Sequence, residues 1–84
     1  MSIKLYITYV IELDYSKAIN IQEKFGFISY NETIGALINW CKKVLGDPPS
    51  TRWEYKPVHD IMTDLDIFIF RNESDRTLFM ITWL

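Results

Sequence analysis

The chain has 84 residues, nine of them basic and eleven acidic, for a net charge of −2, and 49% are hydrophobic. That is one domain of marginal size, which normally needs disulfides, a metal, dense aromatic packing or self-association to be stable. A single cysteine and a single histidine exclude an internal disulfide and a Cys/His metal cluster, and the mildly acidic balance disfavours nucleic-acid partners, which need a basic face.

Met1-Ser2-Ile3-Lys4 leads straight into a strand pattern, without the long apolar run of a signal peptide. No stretch reaches the ~20 apolar residues of a membrane span, so the expected setting is the cytoplasm, with no membrane partner. Residues 4–13 alternate: Leu5, Ile7, Tyr9, Ile11 and Leu13 fall on one side, and Lys4, Tyr6, Thr8, Val10 and Glu12 on the other. Period two with β-branched and aromatic residues predicts a half-buried strand.

Residues 14–26 predict a short helix. Tyr15, Ala18, Ile19, Gln22 and Phe25 share a face, Asp14 or Ser16 can cap it, and Gly26 ends it. The strongest local signal lies at residues 29–46. Ile34, Leu37, Ile38, Cys41, Val44 and Leu45 fill a stripe about 120° wide at helical spacing. Ser29-x-x-Glu32 reads as a capping box, with Asn31 as a competing cap. Gly46 suits the helix end, and Pro48-Pro49 forbid continuation.

Residues 47–51 read as a connection within the domain. Residues 52–56 alternate again and predict an edge strand stopped by Pro57. Residues 58–64 predict irregular chain or a helical turn. Ile67-Phe68-Ile69-Phe70 is apolar on both sides, as a central strand should be. Asn72-Glu73-Ser74-Asp75 has turn chemistry. Residues 78–84 then read as a returning strand, with a helical turn at residues 76–79 as the alternative. The expected order is β-α-α-β-β-β. The expected class is α+β, one domain over residues 1–84, with one or two helices packed on one face of a three- to four-stranded antiparallel sheet.

Candidate chemistry is sparse. His59 with Asp60, Asp64 and Asp66 forms an H-D-x3-D-x-D cluster whose oxygens suit a hard cation. It lacks the glycine and ligand spacing of a calcium loop, and a polar connector is the simpler reading. Cys41 would need His59 beside it to act as a nucleophile, but it sits in the middle of the apolar stripe, as inert buried cysteines do. Arg52-Trp53-Glu54-Tyr55-Lys56 interleaves aromatics with cations as single-strand binders do, although Glu54 and the net charge oppose it. Gly26, Gly35 and Gly46 are isolated, so no phosphate-cradling loop is present. No cofactor and no bound metal are expected.

One stretch carries a family-like pattern. Phe68-Ile69-Phe70, then Glu73-Ser74-Asp75, then Phe79-Met80-Ile81-Thr82-Trp83 resembles the ending of small uncharacterised proteins of tailed bacteriophages. In those proteins an F-x-F strand is followed by an acidic E-x-D turn and F-x-L-x-W. The likeness covers about the last fifth of the chain. Arg76 stands where small residues often follow the Asp, and Ile81 replaces the usual Leu. The resemblance implies a phage accessory protein that binds and redirects a host protein, defence systems included.

The expected function is therefore a non-enzymatic protein-binding module that inhibits or modulates a host protein. Tyr6, Trp40, Arg52, Trp53 and Tyr55 are the expected interface residues, since Trp, Tyr and Arg dominate interface energetics. A homodimer through an exposed sheet edge is a further expectation. Two alternatives remain open: a nucleic-acid-binding regulator using Arg52 and Lys56, and a small metal-binding protein or enzyme around His59.

Overall fold

The computed structural model describes residues 7–47 and 51–84. Tyr6 and the rest of the N-terminal strand prediction before Ile7 lie outside them. The elements are β1 (Tyr9–Asp14), α1 (Tyr15–Phe25), α2 (Tyr30–Leu45), β2 (Trp53–His59), β3 (Asp64–Phe70) and α3 (Glu73–Trp83). The strands form one antiparallel sheet in the order β1-β3-β2. The α+β class holds, with three helices and three strands among the described residues.

Local chemistry explains most boundaries. In β1, Ile11 and Leu13 are buried while Val10 and Glu12 stay exposed, as period two requires. Asp14 then turns the chain into α1, because its carboxylate accepts the Lys17 N–H at 2.8 Å. Gly26 closes α1 in the left-handed region at φ 73°, where a side chain would be strained. At the start of α2, the Ser29 hydroxyl accepts the Glu32 N–H at 3.1 Å. The Glu32 carboxylate reaches back one residue further than a standard capping box, to the Ile28 N–H at 3.2 Å. Ile34, Leu37, Cys41 and Leu45 of the predicted stripe are buried, Ile38 is half-buried and Val44 is exposed.

Three expectations need correction. First, Pro57 does not stop β2, which continues to His59. β2 is an edge strand, and an edge strand can turn the proline nitrogen away from its single neighbour. Second, residues 58–64 are not irregular. They complete a hairpin in which His59 pairs with Asp64, leaving only residues 60–63 as the turn.

Third, residues 78–84 are not a strand but most of α3. Phe79, Ile81 and Trp83 satisfy a two-residue period on paper, but Ile81 is 75% exposed while Phe79 and Trp83 are buried. The period that matters is four: Asp75, Phe79 and Trp83 are the buried residues of α3. Asn72 is the N-cap rather than a turn residue, and Glu73 and Asp75 occupy the first helical turn, where negative charge suits the helix dipole.

α3 returns to the sheet through Phe79. Its ring lies 4.9 Å from Phe68, 5.4 Å from Phe70 and 5.8 Å from Trp40, distances at which aromatic pairs attract. Along β3, Asp66, Phe68 and Phe70 are buried, whereas Leu65, Ile67 and Ile69 remain half-buried. The core thus lies on the Phe68 side, and Trp83 joins Phe25 and Phe27 at its far end.

Candidate interaction site

Of the residues expected at an interface, Trp53 belongs to the domain's own core and Trp40 and Tyr55 pack against it. Trp40 is half-buried, edge-on to Phe79. Trp53 is only 6% exposed, and its indole N–H donates to the Gly46 carbonyl at 2.7 Å, tying β2 to the end of α2. Tyr55 is half-buried with its ring 5.1 Å from Phe68. Arg52 is exposed, but its guanidinium grips Asp75 through Nη2 at 2.8 Å and Nε at 3.2 Å. This two-pronged bond, first of all, holds the Asp75 carboxyl below its ordinary value, against the opposite push of burial. Trp40, Trp53 and Tyr55 come together around Phe68, Phe70 and Phe79.

Polar chemistry collects instead at the far end of the β2–β3 hairpin. The Tyr55 hydroxyl donates to Asp66 Oδ1 at 2.5 Å, and His59 Nε2 lies 3.2 Å from the same oxygen. His59 Nδ1 faces Asp64 Oδ1, and the Tyr30 ring stands edge-on to the imidazole at 6.5 Å. Each imidazole nitrogen thus faces a carboxylate. Two hydrogen bonds of that kind need two protons shared among His59, Asp64 and Asp66. Asp66 is 1% exposed, its Oδ2 has no partner among the described residues, and burial pushes its carboxyl up. Burial also pushes the Tyr55 phenol up.

This arrangement accounts for three of the four members of the predicted acidic cluster. The fourth, Asp60, shapes the turn: its carboxylate accepts the Met62 and Thr63 N–H groups at 2.9 and 2.7 Å. The Asp60 N–H in turn donates to the Thr63 carbonyl at 2.8 Å. Among the described residues no group of three or more His, Cys, Asp or Glu is arranged to hold a metal ion.

The same turn displays two large apolar side chains. Ile61 is 100% exposed and Met62 90%, at the tip of a loop that three hydrogen bonds pin in place. Turn positions favour Gly, Asn, Asp and Pro, so two exposed hydrophobes there are unusual. Sequence reasoning missed them because it placed this stretch between elements, not at the apex of one. The usable signal was apolar Ile61-Met62 between Asp60 and Thr63, residues that make Asx and Ser/Thr turns.

No helix among the described residues is long and apolar enough to cross a membrane. Compared with protein-family models, curated proteins and solved structures, the chain matches none.

Proposed function

We propose that the chain is a non-enzymatic protein-binding module whose contact point is the β2–β3 hairpin tip. The observation that carries this reading is the full exposure of Ile61 and Met62 on a turn fixed by Asp60. A pre-ordered apolar knob loses little conformational freedom on docking, which favours affinity. In this reading the three helices pack on the Phe68–Phe70 side of the sheet and the hairpin projects past them. The Arg52–Asp75 bond and the burial of Trp53 take two residues away from a nucleic-acid platform, and so favour a protein partner. The C-terminal resemblance to phage accessory proteins makes that partner a host protein.

Affinity purification from host lysate with an N-terminal tag tests the reading. The wild-type chain should retain a defined protein, and the Ile61→Ser/Met62→Ser double variant should lose it while melting at an unchanged temperature. Recovery of no protein by the wild type, or full retention by the double variant, would sink it.

A further inference from the structure

The two edges of the sheet are protected unequally. β2 carries Lys56 and Pro57, which are common devices for discouraging strand pairing. β1 reads Tyr-Val-Ile-Glu-Leu-Asp, without proline or lysine, and its register with β3 runs unbroken from Tyr9–Phe70 to Asp14–Leu65, so no bulge bends it away. Among the described residues β1 has a strand neighbour on one side only. An edge of that kind is a template for one more strand.

A groove of about 430 Å³ runs beside β1, with the consecutive residues Val10, Ile11 and Glu12 on one side. Arg76 and Met80 of α3 and Leu84 at its C-cap, spaced four residues apart, form its other side. Met80 and Leu84 are 42% and 49% exposed, so the middle of that wall is open and apolar. A cation stands at each end. Arg76 stacks over Tyr9 at 5.6 Å, and its Nε has no acceptor among the described residues. Lys17, which follows the end of β1, also lines a smaller cavity with Leu84 and Trp83. Against these two cations the side chains lining the groove present one carboxylate, Glu12.

We propose that this groove takes an extended segment of a partner protein as a fourth strand on β1. An apolar side chain of the segment lies against Met80 and Leu84, and a carboxylate at each end meets Arg76 and Lys17. The dimensions agree. Residues 76 to 84 span roughly 12 Å along a helix, and the first, third and fifth residues of a strand span roughly 13 Å. Main-chain bonds to an edge with alternate side chains in a neighbouring groove is an established mode of peptide capture. A second copy of this chain is a poorer occupant. Two-fold pairing of β1 with itself, faces in common, sets Glu12 opposite or diagonal to its counterpart, and like charges there repel. The inference rests on the reading of the chain as a protein-binding module, but at a surface remote from the hairpin tip.

The test uses the full chain and two capped seven-residue peptides. The probe is threonine-glutamate-threonine-valine-threonine-glutamate-threonine, and the control has both glutamates replaced by lysine. In an NMR titration the glutamate peptide should bind at least ~10-fold tighter than the lysine peptide, and the alternate β1 amides that point away from β3 should gain exchange protection. Met80→Glu should weaken the glutamate peptide by ~10-fold or more, and Arg76→Glu should erase or reverse the preference. The Ile61→Ser/Met62→Ser variant should bind the peptide like the wild type, which separates failure at the groove from failure at the tip. No binding up to about 1 mM, equal binding of the two peptides, or unchanged β1 amides would overturn the proposal. So would a dimer in sedimentation whose β1 amides are protected without peptide, because the groove would then belong to a second copy.

Discussion

Asp66 is the residue around which the polar end of the hairpin is organised. Its carboxylate is buried and takes its closest bond from the Tyr55 hydroxyl. Removing that donor leaves a buried acceptor underserved, at about 1–3 kcal/mol. Tyr55→Phe should therefore lower the unfolding free energy by that amount, read as a lower urea midpoint at an unchanged slope. A loss below the error of the measurement would mean that His59 alone satisfies Asp66. Cys41 illustrates the opposite kind of residue. It is fully buried among apolar neighbours, and burial pushes its thiol up to about 12. The thiolate is the reactive form, so a disulfide reagent should label Cys41 only through unfolding, at a rate that climbs with urea in step with global opening. Rapid labelling of the native protein would contradict the burial.

At the scale of elements, two glycines with similar surroundings should respond in opposite directions. A Cβ on Gly26 or on Gly35 meets no atom within 4 Å, so space decides neither case. Gly35 lies inside α2, where alanine is better by about 1 kcal/mol, and Gly35→Ala should raise the melting temperature. Gly26 ends α1 at φ 73°, where a side chain costs about 1–2 kcal/mol, and Gly26→Ala should lower it. Opposite signs in thermal melts support both placements, and like signs refute one of them.

The helices that announced themselves in the sequence were those with such punctuation: Asp14 and Gly26 around α1, Ser29, Glu32 and Gly46 around α2. α3 was missed because Leu78, Phe79, Met80 and Ile81 are apolar in succession and fit either period. Only tertiary packing of Phe79 against Phe68 and Phe70 decides between them. The Asn72-x-x-Asp75 spacing was the available clue, since it places an N-cap residue three before an acid. Phe79→Ala should cost about 3–5 kcal/mol, a large share of a small domain's stability, as measured by chemical denaturation. A strand at residues 78–84 would not single out Phe79 over Ile81, so Ile81→Ala serves as the control and should cost far less. The site residues were less legible still. Residue type alone marks aromatics as interface candidates, whereas only packing separates buried Trp53 from half-buried Trp40 and Tyr55.

At the scale of the whole molecule the shape is elongated, 51 × 31 × 21 Å, with a radius of gyration of 13.7 Å against ~12 Å for a compact chain of this length. A molecule with so little interior keeps its two buried carboxylates near its surface, and they should give its stability opposite pH limbs. Asp75 has its folded pKa lowered, chiefly by the hydrogen bond from Arg52. Its contribution is present above the ordinary aspartate value of about 3.9 and is lost as pH falls through the folded value. Asp66 has its folded pKa raised by burial. Its contribution is complete below about pH 3.9 and is lost as pH rises through the folded value. Melting temperatures recorded from about pH 2 to about pH 7 should separate the two. Asp75→Asn should flatten the acid limb and lower stability at neutral pH. Asp66→Asn should flatten the upper limb, so that its melting temperature gains on the wild type as pH rises from about 4. An Asp66→Asn curve that stays parallel to the wild type across that range would show that Tyr55 and His59 fully offset the burial of the charge.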